Sequence, residues 1–178
     1  AFAAACRMIP DLRARLKAVA KEAPKPEKKL ECLVRDERFP FREGDALRAV
    51  TARDLRRLGL ETCDVPAERV LYLDTETTGF AGAGTVAFLI GMGWLEDDEF
   101  VVRQAFMRDY PEEPAQLALF AEKLADAECI VTFNGKTFDI PILRDRFLMA
   151  RMRDRWREKP HLDLLHAARR TWKLRLGK

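Results

Sequence analysis

The sequence predicts an α/β fold: a mixed β-sheet with helices packed on it. Three observations carry this expectation. Short apolar, β-rich runs recur at "RVLYLDT", "TVAFLIGMGWL", "FVVRQAFM" and "ECIVTF". The second and third are separated only by the acidic "EDDE", which is a hairpin signal. Stripes at helical spacing fall between and after the runs, so the order is strand, hairpin, helix, strand, helix, helix. Within this order "RVLYLDT" is short, apolar and bounded by turn residues, as a central strand is. "PEEPAQLALFAEKLADA" opens on Pro and Glu and sets Leu117, Phe120 and Leu124 on one stripe, as an amphipathic helix does. "NGKTFDIPILRDRFLMARM" turns at Asn-Gly and continues as a helix, with Pro141 tolerable in its first turn. "HLDLLHAARRTWKLRL" reads throughout as a last helix.

Upstream, residues 10–21 read as a short helix with Leu12, Leu16 and Val19 on one stripe, and "EAPKPEKK" reads as a linker. "ECLVRDERFPF" could hold a short strand. "TARDLRRLGL" has Thr51 at an N-cap position and Gly59 at its end, which predicts another short helix. We therefore expect an N-terminal helix, linker and leader over residues 1–64 and the main domain over residues 65–178. No Met opens the chain, so it reads as beginning inside a longer protein.

The chain has 178 residues, 48% hydrophobic and 34% charged, a balance that suits a globular domain with its own core. No apolar run is long enough to span a bilayer, and the opening "AFAAACRMIP" lacks the basic segment of a signal peptide. Cys6, Cys32, Cys63 and Cys129 form no C-x-x-C pair, which argues against structural zinc and for reduced thiols of a cytoplasmic protein. The net charge is +3, but residues 144–178 hold twelve Lys and Arg against four Asp and Glu. That asymmetry points to a polyanionic partner or, more plainly, to a solvated helix face. Trp156 and Trp172 lie among these arginines and suit either base stacking or core anchoring. The acidic stretch 96–99 suits a solvated hairpin tip better than a metal site.

Asp74 and Glu76 in "LYLDTETTGF" are two residues apart, so on a continuing strand they project from the same face. Adjacent carboxylates repel, and one protonates unless a cation lies between them. A hard divalent ion such as Mg²⁺, which takes oxygen ligands at about 2.0–2.1 Å, resolves the conflict. Asp139 is a third acid, delivered by the turn after the second central strand; at a helix start it also gains from the helix dipole. Taken singly, each of these signals is weak.

Together, "VLYLDTETTGFAGAGTVAFLIG", "VTFNGKTFDIPIL" and "HLDLLHAARRTWK" resemble the YprB-like branch of the RNase H-fold, DnaQ-like superfamily of DEDD-type 3′-5′ exonucleases. The resemblance runs from about Val65 to the end. It implies an RNase H-like sheet with flanking helices and a site that hydrolyses phosphodiester bonds of a single-stranded DNA or RNA end with two Mg²⁺ or Mn²⁺ ions. By it, Asp74, Glu76 and Asp139 are the metal-binding catalytic acids, with Asp74 bridging the ions. Thr77, Thr78, Asn134 and Phe138 contact substrate, Asn134 fixing the turn and Phe138 packing beside the terminal base. Gly79, Gly82 and Gly84 either let backbone approach that nucleotide or form a flexible loop. The family's fourth acid, with a His or Tyr before it, has no match here. Asp163 reads as structural, and His161 and His166 are five apart, a spacing that does not stack them on a helix. We therefore expect the C-terminal part of the domain to be missing. Two other classes stay open: a nucleic-acid-binding module of the same fold without strong catalysis, and a phosphatase of the HAD type using Asp74 as phosphoryl acceptor.

Overall fold

The computed structural model describes residues 31–40, 65–79, 84–153, 155–156 and 159–172. The helices expected over 10–21 and 51–60, the linker between them and Gly82 lie outside the described residues.

The described chain forms one six-stranded mixed sheet with helices packed against it, as the element order predicts. Its strands are β1 (Leu33–Pro40), β2 (Val70–Thr77), β3 (Ala87–Glu96), β4 (Glu99–Phe106), β5 (Cys129–Thr132) and β6 (His161–Asp163). The helices are α1 (Glu113–Asp126), α2 (Asp139–Met149) and α3 (Leu164–Trp172). The spatial order is β1-β4-β3-β2-β5-β6. β1 through β2 pair antiparallel across the sheet, whereas β5 runs parallel to β2 and β6 parallel to β5. The parallel pairs are joined through helices, because a hairpin cannot join parallel neighbours.

The hairpin between β3 and β4 closes on Asp97 and Asp98, with φ of 48° and 63°. Two successive left-handed residues match the right-handed twist of the flanking strands, and Asp tolerates that region better than most residues do. Glu96 and Glu99 pair across the base of this turn, and both accept from Arg38 of β1, at 2.6 and 3.1 Å. The acidic stretch is thus a charged hairpin tip tied to a neighbouring strand. β1 itself comes from the leader segment. It aligns with β4 along its whole length, and Asp36 receives two guanidinium bonds from its register partner Arg103, at 2.8 and 2.6 Å. Nearly every side chain of β1 is exposed, and its charges suit a sheet edge, where they discourage pairing with other chains.

Alternation along β2 divides the core. Leu71 and Leu73 face α1 and α2, joined by Ile90, Met92, Trp94, Val101 and Ile130 from the other strands. The predicted stripe Leu117, Phe120 and Leu124 is buried here. Trp156 is only 5% exposed and packs on Phe120 and Phe147, with ring centroids 5.2 and 4.8 Å apart. It is a core anchor; the base-stacking use that its arginine neighbours suggest does not apply. Trp172 is partly exposed at the end of α3. On the opposite face Cys129, Val131, Leu162 and Ala167 are buried, with Val70 and Tyr72 packed against them.

One element differs from the sequence expectation. "HLD" does not open the last helix; it forms β6, with Ile130 opposite His161 and Thr132 opposite Asp163. The helix starts one residue later because the Asp163 carboxylate accepts from the Leu165 N–H, at 3.0 Å, as a helix cap does. Three residues are too few for strand periodicity to register, so only the pairing with β5 reveals them. Among the described residues no helix is long and apolar enough to cross a membrane.

Candidate active site

The site sits at the end of the sheet where β2 and β5, running parallel, both finish. Ligand sites of open α/β sheets favour this end, because the chain must leave each strand there in a loop. On β2 the burial alternates: Leu73 and Thr75 are buried, Asp74 and Glu76 exposed. The two acids therefore share the face that their spacing predicts. Directly after Glu76 the pairing with β3 slips by one residue, so that Glu76 lies opposite Leu89 and Thr77 opposite Ala87. Such bulges re-aim side chains and recur beside functional sites.

Asp139 comes from the other side. It is the first residue of α2 and only 3% exposed. The buried hydroxyl of Thr75, the residue between the two exposed acids, donates to Asp139 Oδ1 at 2.5 Å. Burial pushes the Asp139 carboxyl above its ordinary range, the Thr75 hydrogen bond opposes that shift, and the negative charge of Asp74 adds to it. The charge of Asp74 thus acts on Asp139, which Thr75 holds. Among the described residues no three His, Cys, Asp or Glu side chains stand as one metal-binding cluster. The donor chemistry nonetheless fits a hard divalent cation: the groups are carboxylate oxygens, and the repulsion that a cation relieves is already present between two of them.

The turn that delivers Asp139 is held by β6. Asp163 is only 4% exposed, and its two oxygens accept from the Asn134 N–H at 2.8 Å and the Lys136 N–H at 3.0 Å, besides capping α3. Burial alone raises the Asp163 pKa, but the donors Leu165, Lys136 and Asn134 together outweigh it and hold the carboxyl below the usual carboxylate range, with His161 assisting. Asn134 takes the left-handed φ of 68° that the turn requires, and its side chain accepts from the Thr137 hydroxyl at 2.9 Å. Thr132 Oγ1 accepts from the Gly135 N–H at 3.2 Å and lies 2.8 Å from His161 Nε2. Burial, with Lys136 nearby, lowers the His161 pKa, and Asp163 partly opposes this. His161 and His166 thus sit on different elements and form no metal pair.

Gly135 is where this turn admits no side chain: a Cβ there would lie 2.5 Å from Thr132 Cβ. Gly135→Ala is therefore expected to lower stability by about 1–3 kcal/mol, as overpacking a tight site does. Chemical denaturation checks it, with the slope of the transition unchanged.

The remaining sequence candidates are also placed. The Thr77 hydroxyl donates to the Gly79 carbonyl at 2.7 Å. Thr78 makes two bonds to Val86, its N–H donating to the carbonyl at 3.0 Å and its Oγ1 accepting from the N–H at 3.1 Å. In this structure both threonines brace the loop that leaves β2. Phe138 is half-buried immediately before Asp139. A Cβ on Gly84 would meet nothing within 4 Å, so no tight packing demands glycine there. Sequence reasoning missed Thr75 as a site residue. Its signal was its place between two acids on a strand, which puts a polar group on the buried face.

Comparison with known proteins agrees with this architecture. The family profile described as the RNase H superfamily matches residues 71–177. A Bacillus subtilis (strain 168) protein named "Uncharacterized protein YprB" is 36% identical over 115 residues, which is 61% of this chain and 27% of that protein. The chain thus spans little more than a quarter of that relative's length. The matched region takes in β2 from Leu71 on, with Asp74 and Glu76, the turn carrying Asp139, and β5 and β6. On this evidence the chain belongs to the RNase H superfamily, whose members act on nucleic acids and whose nucleases generally use divalent metals such as Mg²⁺.

Proposed function

We propose that this chain is the catalytic domain of a divalent-metal-dependent 3′-5′ exonuclease acting on single-stranded ends of DNA or RNA. One observation carries the reading. Thr75, between exposed Asp74 and Glu76 on β2, holds the carboxylate of Asp139 from α2, so acids from separate elements come to the open end of the sheet. A purely polyanion-binding surface gains nothing from carboxylates gathered where a phosphate must come.

Asp74, Glu76 and Asp139 would hold Mg²⁺ or Mn²⁺. Bound there, the cation supplies charge neutralisation at the phosphoryl oxygens and lowers the pKa of water. The protein's own part is positional. Exposed Asp74 and Glu76 meet solvent and substrate from β2. Thr75 fixes the Asp139 carboxylate from beneath. Asn134 and Asp163 hold the turn, and half-buried Phe138 borders the place of the terminal nucleotide. Thr77 and Thr78 keep the loop after β2 near that place. Cys32 and Cys129 are both buried, which suits reduced thiols of a cytoplasmic protein. Family membership leaves no support for the phosphatase reading.

A second reading has its own observation. Because Asp139 faces Thr75 and the three acids do not form one cluster, a weakly catalytic or inactive nucleic-acid-binding module of this fold is the alternative.

The test uses the complete protein and single-stranded oligonucleotides labelled at the 5′ end. With Mn²⁺, a ladder shortening from the 3′ end is expected, and EDTA should stop it. Metal-independent binding without any cleavage would favour the module. Cleavage that persists in EDTA would remove the metal account.

A further inference from the structure

Resting on the nuclease reading, the strongest unassigned feature near the acids is Phe133. Large aromatic side chains are mostly buried, yet this one is 57% exposed. It follows β5 directly. Tyr72 of β2 pairs with Val131 of β5, and two residues beyond that pair lie Asp74 on one strand and Phe133 on the other. Phe133 therefore leaves β5 at the same end of the sheet at which the neighbouring β2 carries Asp74.

Its exposure is fixed by well-anchored backbone. The buried Thr132 precedes it, and Asn134 after it is bonded through its N–H to Asp163. The turn is closed further by Gly135 N–H to Thr132 Oγ1, Lys136 N–H to Asp163 Oδ2 and Ile140 N–H to the Gly135 carbonyl. Three residues on, the Lys136 side chain is exposed, and its charge reaches His161. A preorganised aromatic face, a cation and a pair of acids thus occupy one end of the sheet.

We propose that Phe133 and Lys136 form a base-stacking subsite for a nucleotide at the end of a single strand. The ring takes the face of an unpaired base, and the ammonium takes a backbone phosphate. Stacking tolerates any base, because each has a π-face, whereas a paired base in a duplex is already covered by its neighbours. The subsite therefore favours single strands over duplex and discriminates little among bases.

The test measures binding of a fluorescein-labelled single-stranded oligonucleotide to the complete protein in EDTA, by anisotropy. Phe133→Ala is expected to weaken binding about 5- to 100-fold, and Phe133→Trp to keep it. Lys136→Ala should weaken binding and flatten its salt dependence by about one unit of slope or less. An oligonucleotide with its last two nucleotides abasic should bind wild type and Phe133→Ala alike. Thermal melts confirm that the variants remain folded. Wild-type affinity in Phe133→Ala, or an equal loss with intact and abasic strands, overturns the subsite. If the protein cleaves DNA or RNA in an Asp74-dependent way while Phe133→Ala binds normally, only the subsite falls. If it neither binds nor cleaves, the nuclease reading falls first.

Discussion

Asp74→Ala in the complete protein is expected to lower metal-dependent hydrolysis by on the order of 10³-fold while the fold persists, since removing a single preorganised electrostatic contact at a reaction centre costs about that much. Asp74 is exposed, and no packing depends on its side chain. Its charge instead burdens the folded state, because it helps raise the pKa of buried Asp139. The sign follows from linkage. A carboxyl whose folded pKa is raised holds its proton more tightly when folded, so stability falls as pH rises from the ordinary Asp range, about 3.9, through the higher folded value. Without Asp74 that fall should be smaller, and the metal-free variant should melt no lower than wild type at neutral pH. Mn²⁺ should raise the melting temperature of wild type and not of the variant, because a ligand stabilises only the state that binds it. Undiminished hydrolysis by Asp74→Ala would remove this residue from the site. An equal Mn²⁺ shift in both proteins would show that the cation binds elsewhere.

The second large effect is expected at Asp163. Asp163→Ala leaves the N–H groups of Asn134, Lys136 and Leu165 without their acceptor in a mostly buried place. A loss of about 3–5 kcal/mol follows, since each unsatisfied buried donor costs about 1–3 kcal/mol and relaxation recovers some of that. Asp163→Asn keeps one carbonyl oxygen and should lose less. The charge itself is separable by pH. The folded Asp163 pKa is depressed, so its stabilisation is complete above the ordinary value of about 3.9 and is lost as pH falls through the lower folded value. The stability difference between wild type and Asp163→Asn should therefore shrink on acidification through that window. A difference that stays constant down to the lowest pH at which both fold would mean that geometry alone, not charge, makes the clasp. Because the same turn carries Asp139, both variants should also lose hydrolysis to a greater degree than Gly135→Ala does.

These effects divide the molecule by how far apart in sequence their causes lie. The "LYLDTETTGF" stretch declared itself because an apolar run and a two-residue acid spacing are local signals, and alternation alone sets Asp74 and Glu76 on one face. The hairpin at 96–99, the α1 stripe and the turn at Asn134 were legible for the same reason. Three matters were not. β6 is three residues long and exists only through its pairing with β5. Trp156 could serve solvent or core, and Phe120 and Phe147 decide for the core. Asp139 could be read as a ligand, but its burial against Thr75 depends on α2 meeting β2 across 64 residues of chain.

The sequence by itself determined which residues alternate, where the chain turns and which acids are available, because each follows from neighbours a few bonds away. Only the tertiary structure decided that the charge of Asp74 reaches buried Asp139, that Asp163 clasps the turn carrying Asp139, and that Phe133 is left exposed at the end of β5. Strand order and packing bring those groups together, and the energies involved, desolvation and shared hydrogen-bond donors, arise only once the distant segments have met.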